Sequence, residues 1–119
     1  MAGDAAESFK TKTLVEWPAE KTTRTICDGL RTQSLGVLNF GHILRFVDGI
    51  VTVSEEEIRT AARLVLATTK MVAEASGAVT LAAVLFHADE LPKVRKVVAI
   101  VSGGNIDPAL RAELEAESR

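Results

Sequence analysis

The feature that most restricts the fold of this 119-residue chain is a short apolar run near its C-terminus. Residues Val97–Val101 read Val-Val-Ala-Ile-Val, and the run stops abruptly at Ser102-Gly103-Gly104-Asn105. Apolar runs of this length without polar alternation are typical of strands buried on both faces, inside a parallel sheet that helices cover. The sequence therefore predicts an α/β fold.

A second strand is predicted at Ile50–Val53, where the residues are mostly β-branched. Thr11–Val15 alternates weakly and is a third, poorer candidate that Trp17-Pro18 would end, since proline has no amide hydrogen to donate. Two convincing strands are fewer than an open parallel sheet contains. We therefore expect the chain to be part of a sheet whose other strands it does not encode.

Helical spacing of apolar residues predicts four helices. They are expected at Asn39–Val47, at Glu55–Thr69, from Ser76-Gly77-Ala78 onwards, and at Ala109–Glu117. Ser54 and Glu57 have the spacing of a capping box, and Ser76 is interpreted as the cap of the third helix. Asp107 followed by Pro108 is a typical helix start. The many alanines of the third helix predict close packing against a neighbouring element.

Composition excludes several classes of protein. The chain has 14 Lys and Arg against 16 Asp and Glu, a net charge of −2, which argues against a nucleic-acid partner. No apolar stretch reaches the ~20 residues that a membrane span needs. The first residues lack the basic and apolar regions of a secretion signal, so a cytoplasmic location is expected. The lone Cys27 excludes an internal disulfide and a cysteine-based zinc site.

The strongest candidate for a ligand contact is Ser102, because ligands of open α/β sheets bind outside the carboxyl ends of the strands. Its hydroxyl can offer one hydrogen bond to a heteroatom, and the glycines at 103 and 104 allow a close approach of the backbone. An ordinary turn from a strand to a helix explains the same residues equally well.

The sequence gives weaker evidence of a functional role for the other polar residues. Glu74 lies among apolar neighbours, which favours a carboxylate directed at a ligand, whereas Asp28-Gly29 fits an ordinary turn. His42 and His87 are far apart and are interpreted as surface or packing residues, and Cys27 as a small buried one. The sequence has no Walker loop, dinucleotide fingerprint or nucleophile elbow.

Taken together, four ordered segments resemble the C-terminal part of threonine and serine dehydratases and serine racemases, which are fold-type II pyridoxal-phosphate enzymes. The segments are Thr25–Leu30, Phe46–Ile58, Glu74–Ala78 and Val101–Asp107. The resemblance implies that residues 1–119 form the C-terminal portion of a catalytic domain. It further implies a parallel-sheet sandwich of the tryptophan synthase β-like type, truncated on its N-terminal side.

The resemblance also implies an activity and a set of cofactor contacts. The activity is deamination of L-threonine or L-serine to a 2-keto acid and ammonia. Ser102 matches the serine that faces the pyridine nitrogen of pyridoxal phosphate, where a neutral hydroxyl favours β-elimination over transamination. Glu74 matches a glutamate near the cofactor ring, and Gly29 and Gly103 match loops of the same pocket.

Asp4 and the Ala2 carbonyl match part of a divalent-cation site of some members, suited to Mg or Ca. The glutamate that would complete that site is absent. Ser8-Phe9-Lys10 imitates the motif of the Schiff-base lysine, but Thr11-Lys12-Thr13 follows instead of the family's Arg-Gly-Ala, and no glycine-rich phosphate loop is present.

No catalytic residue is therefore assigned, and the chain alone is expected to be inactive. A complementing N-terminal half, a homo-oligomer and an amino-acid substrate are the expected partners. A non-catalytic assembly module and a piece of a serine racemase are the alternatives.

Overall fold

The computed structural model describes residues 2–69 and 71–117, which form six α-helices and one 3-10 turn. In chain order these are α1 (Asp4–Thr11), α2 (Ala19–Thr22), the 3-10 turn (Asp28–Leu30), α3 (Val37–Phe46), α4 (Glu55–Thr68), α5 (Ala75–Phe86) and α6 (Pro108–Ala116). They divide into two compact units, Met1–Thr52 and Val53–Arg119. None of the helices within the described ranges is both long and apolar enough to cross a membrane.

In the first unit, α1 contacts α3, and buried polar side chains hold the connecting loops. The hydroxyl of the fully buried Ser8 accepts a 3.0 Å hydrogen bond from the amide of Val15. The hydroxyl of the fully buried Thr22 donates to the carbonyl of Arg31 at 3.2 Å. Cys27 is 1% exposed, which confirms its predicted burial.

The second unit has a core of small side chains between three helices. Ala61 and Ala62 of α4, Ala78 and Ala82 of α5, and Leu114 of α6 are all 0% exposed. Because alanine carries only a methyl group, the helix backbones can approach closely and still exclude water. The predicted close packing of the alanine-rich helix is confirmed.

Local sequence signals start two of these helices. Ser54 and Glu57 form the predicted capping box at the start of α4: the Ser54 amide donates to Glu57 Oε2 at 2.7 Å, and the Glu57 amide donates to Ser54 Oγ at 3.3 Å. At the start of α6, Asp107 Oδ1 accepts from the amides of Ala109 and Leu110 at 2.8 and 3.1 Å. Both predicted helix starts are confirmed, and α3 begins two residues before its predicted start.

The predicted strands are wrong for this structure. Neither Ile50–Val53 nor Val97–Val101 forms a strand, and α1 extends to Thr11, where the weaker strand candidate was expected to begin. Within residues 2–69 and 71–117 no strand is present, so the expected parallel sheet is not formed there.

The reason for this difference lies in hydrogen bonding. A helix satisfies its own backbone groups, whereas a strand needs a neighbouring strand to supply its partners. Three of the five side chains expected to be buried in the sheet are instead exposed: Val97 by 55%, Val98 by 87% and Ile100 by 71%.

Candidate functional site

Three of the sequence-predicted site residues come together at the N-terminal end of α5. Glu74 is the residue before this helix, and the loop containing Ser102 and Gly103 packs against its first turn. Gly29 lies in the 3-10 turn, and Ala2 and Asp4 lie at the start of α1, all within the first unit. The candidate site is therefore built from the second unit, by residues 72–80 and 100–105.

Glu74 is joined to the glycine loop through both its backbone and its side chain. Its amide donates to the carbonyl of Gly103 at 3.3 Å, and its Oε2 accepts from the amide of Asn105 at 3.2 Å. Glu74 is the N-cap residue of α5, but its carboxylate makes no capping hydrogen bond to the helix. The half-buried carboxylate thus holds the loop that follows Ser102.

This geometry corrects the interpretation of Ser76. The helix begins at Ala75, with Glu74 in the extended conformation before it, so Ser76 is the second helical residue and not the cap. An N-cap residue has non-helical dihedral angles, and Glu74 has φ −76° and ψ 161°. Apolar spacing alone did not locate this boundary.

Gly103 adopts a φ of +79°, in the left-handed region that favours glycine. A Cβ added there would lie 2.6 Å from each carboxylate oxygen of Glu74, closer than van der Waals contact allows. Gly104 is also approached closely, since a Cβ there would lie 2.9 Å from the carbonyl oxygen of Val72. The two consecutive glycines therefore allow the loop to fold against the residues before α5.

Gly77 is a site residue that the sequence analysis did not single out. A Cβ at this position would overlap the carbonyl oxygen of Ser102 and lie 3.0 Å from its carbonyl carbon. Only glycine allows the first turn of α5 to meet the backbone of Ser102 so closely. The run of small residues from Ala75 to Ala78 was interpreted as a helix start and as part of one of the four segments that carry the family resemblance, with no separate role for Gly77.

The side chain of Thr80 makes the next contact along the same helix face. Its hydroxyl donates a 2.8 Å hydrogen bond to the carbonyl of Ile100, two residues before Ser102. Ser102 itself is exposed, so its hydroxyl lies at the surface of this loop. The arrangement offers a neutral hydroxyl on a fixed glycine loop, with a carboxylate directly behind the loop.

Charged groups with shifted pKa values lie at the opposite end of α5. Hydrogen bonds to Glu90 and Glu57 raise the pKa of His87, the residue after the last turn. The Ser54 amide and the His87 ring lower the pKa of Glu57. A helix of 12 residues is roughly 18 Å long, so these groups are remote from Ser102.

The amino-acid sequence of the chain is similar to those of one family of known proteins. Residues 2–103 match the family described as pyridoxal-phosphate dependent enzyme. Over 83 residues the chain is 45% identical to L-threonine ammonia-lyase of Thermotoga maritima, a match that covers 70% of this chain and 20% of that protein. It is 36% identical over 104 residues to serine racemase of Schizosaccharomyces pombe, covering 87% and 31%.

The structure is also similar to a solved one. It superposes on the crystal structure of T.th. threonine deaminase with a TM-score of 0.81 and 43% identity, covering 89% of this chain and 34% of that one. The chain thus spans about a fifth to a third of the length of the proteins it matches.

Proposed function

The chain belongs to the family of pyridoxal-phosphate dependent enzymes, and from this premise we propose that it is the C-terminal region of a threonine or serine dehydratase. The proposed reaction is deamination of L-threonine or L-serine to a 2-keto acid and ammonia. L-threonine ammonia-lyase and threonine deaminase are among the proteins it resembles, which supports this choice. A serine racemase is the second candidate, because the chain is also 36% identical to one.

The observation that carries the proposal is the exposed Ser102 hydroxyl on a loop that Glu74 and Gly77 hold in place. These residues fit the pyridine side of the cofactor. A neutral hydroxyl suits an uncharged ring nitrogen. The glycines at 103 and 104 leave no side chain between the loop backbone and a flat ring.

Bound pyridoxal phosphate supplies an electron-withdrawing ring that stabilises the negative charge left on the substrate Cα after proton loss. The proposed role of this chain is to hold that ring. The Ser102 hydroxyl would donate a hydrogen bond to the ring nitrogen, which would then stay unprotonated and uncharged. Glu74 keeps the loop in position through the amide of Asn105.

We further propose that the chain is inactive alone. Deamination requires a base at the Cα proton, and only Ser8-Phe9-Lys10 imitates the family's lysine motif, with a different continuation. A complementing N-terminal part would supply the lysine and the phosphate loop. This chain covers only a fifth to a third of the length of its relatives, which supports the proposal that another part supplies these groups.

The exposed apolar residues Val97, Val98 and Ile100 are the proposed contact for that part. Within the described residues the main chain of 97–99 makes no hydrogen bond, and such unpaired backbone groups readily accept a neighbouring strand. In the assembled enzyme this segment and residues 50–53 would become strands of the parallel sheet. Self-association through the same residues is the alternative, and size-exclusion chromatography of the pure chain separates the two.

The experiment measures release of 2-ketobutyrate from L-threonine, or pyruvate from L-serine, with added pyridoxal phosphate. The pure chain is expected to show no turnover above the cofactor-only background. Turnover is expected after mixing with the part of the Thermotoga maritima L-threonine ammonia-lyase that precedes its matched region. In the mixture, Ser102→Ala should lower turnover and Ser34→Ala, in the first unit, should not. Turnover by the chain alone that Lys10→Ala abolishes would contradict the proposal.

The cation site and the Gly29 contact remain predictions from the resemblance. No three His, Cys, Asp or Glu side chains among the described residues are grouped to hold a metal. If Asp4 and the Ala2 carbonyl bind Mg or Ca, the cation should raise the melting temperature of the chain, and Asp4→Asn should remove that increase. A melting temperature that neither cation changes would exclude a site within this chain.

A further inference from the structure

We propose that Gly77 and Thr80 are positioning residues, which hold the main chain at 100–102 against α5 and so fix the place of Ser102. The inference rests on the proposed function in one respect, since the role of Ser102 toward the cofactor comes from there. It adds two residues to which the sequence patterns gave no function. It also names the face of α5 as their means of action.

In the chain alone, residues 97–101 receive no support from a sheet within the described residues. Between described residues, no hydrogen bond involves the main chain of 97–99, and Val98 is 87% exposed. In a sheet, the backbone before Ser102 would be held by neighbouring strands. In the chain alone, contacts with another element must fix its position.

Helix α5 holds this segment at two points, about one helical turn apart. Residues three apart in a helix lie on the same face, as Gly77 and Thr80 do. At Gly77 the helix backbone meets the carbonyl of Ser102 directly, and any larger residue would overlap it. At Thr80 the hydroxyl donates to the carbonyl of Ile100 at 2.8 Å.

Thr80 donates to a carbonyl outside its own helix, as Thr22 of α2 does toward Arg31. Threonine hydroxyls in helices usually bond to the carbonyl three or four residues earlier, as Thr68 does with Leu64 at 2.6 Å. The Thr80 hydroxyl lies 3.5 Å from the carbonyl of Gly77, but only 2.8 Å from that of Ile100. The shorter bond joins two segments, which a purely helical role does not require.

The loop after Ser102 is held by Glu74, the residue before the same helix. The Glu74 amide donates to Gly103, and the Glu74 carboxylate accepts from Asn105. Ser102 therefore lies between fixed points on both sides, all of them on α5 or its N-cap. Displacing the carbonyl of Ile100 or Ser102 should move the Ser102 hydroxyl relative to a bound ring.

The test uses backbone amide resonances of the ¹⁵N-labelled full chain. Gly77→Ala and Thr80→Val are expected to shift the amides of residues 101–105. Gly41→Ala is the control for glycine, because a Cβ at Gly41 meets nothing within 4 Å. Thr68→Val is the control for loss of a helical hydroxyl. Thr80→Ser keeps the hydroxyl and should restore the wild-type positions.

A second measurement separates positioning from mere structure. Pyridoxal phosphate is titrated into the same labelled chains, alone and with the complementing part of the Thermotoga maritima enzyme. Thr80→Val should raise about fivefold the concentration of pyridoxal phosphate that half-saturates the amide shifts at 102–104. This change is equivalent to the loss of one ordinary hydrogen bond. Thr80→Ser should leave this half-saturating concentration at the wild-type value.

The outcomes distinguish this inference from the proposed function. Amides at 101–105 that stay at wild-type positions in Thr80→Val and Gly77→Ala would overturn the inference, as would equal cofactor response in wild type and Thr80→Val. If pyridoxal phosphate shifts no amide in either wild-type titration, the proposed function fails, whereas variant shifts at 101–105 still support positioning. If Gly77→Ala does not fold, the Thr80 variants decide, since that side chain is exposed.

Discussion

Nε2 of His87 lies 3.2 Å from both carboxylate oxygens of Glu57, and this contact joins the end of α5 to the first turn of α4. Nδ1 of the same ring lies 2.6 Å from Glu90 Oε1. Glu57 also accepts from the Ser54 amide within the capping box. The imidazole thus lies between two carboxylates, and one of them also takes part in starting a helix.

This contact predicts that the second unit loses stability as the pH rises above 6.5. Glu90 and Glu57 raise the pKa of His87 above its ordinary 6.5, so its contribution is fully present below pH 6.5 and lost as the pH rises through the raised value. The pKa of Glu57 is lowered, so its contribution is present above about 4.5 and is lost in acid. The contact should therefore stabilise the second unit most between about pH 4.5 and pH 6.5.

The measurement is the melting temperature from pH 5 to 9. His87→Gln should flatten the decline on the alkaline side of pH 6.5, and His42→Gln, on the exposed face of α3, should leave it unchanged. An identical pH profile for wild type and His87→Gln would contradict the prediction.

The alanine core predicts a sharp difference between two positions on one helix. Ala62 of α4 is 0% exposed, whereas Ala67 of the same helix is exposed. Ala62→Leu should lower the free energy of unfolding by about 1–3 kcal/mol, because the added carbons have no space between the helices. Ala67→Leu should change it little, as urea unfolding followed by circular dichroism will show. Equal effects would mean that this core is not closely packed.

The conformation of Gly103 predicts that Gly103→Ala lowers the free energy of unfolding for two separate reasons. The left-handed backbone costs a non-glycine residue roughly 1–2 kcal/mol, and the new Cβ also meets the Glu74 carboxylate. In a double-mutant cycle, Glu74→Ala should relieve the second part of the Gly103→Ala penalty and leave the first. Gly49→Ala is the control, since a Cβ there meets nothing within 4 Å. Strict additivity of the two changes would show that the carboxylate does not lie beside Gly103.

The cap of α6 predicts a smaller, side-chain-specific effect. Asp107 Oδ1 accepts two amides of the first turn, so Asp107→Ala should cost about 1 kcal/mol of unfolding free energy. Asp107→Asn keeps an accepting oxygen and should cost little. Asp89→Ala, outside any helix, is the matched control in the same denaturation series. A loss for Asn as large as that for Ala would indicate that charge, not capping, is responsible.

Features set by near neighbours in sequence were predictable. Ser54 with Glu57, and Asp107 with Pro108, define helix starts through bonds that span three residues or fewer, and both starts are confirmed. Glu74 and Ser102 were also predicted as site residues, in part because segments around them resemble one family. Ser76 was assigned the cap of α5 in error, because its small polar side chain is typical of a cap.

The sequence by itself determined the starts of α4 and α6 and the alanine-rich packing face of α5, because local hydrogen bonds and side-chain volumes suffice for these. It also determined membership of a family, through the ordered segments that resemble it. Only the tertiary structure decided that Gly77 meets Ser102, that Thr80 bonds to Ile100, and that Val97–Val101 forms no strand. The physical reason is that a strand and a helix–loop contact both need partners distant in sequence. No pattern of neighbouring residues specifies whether such a partner is within reach.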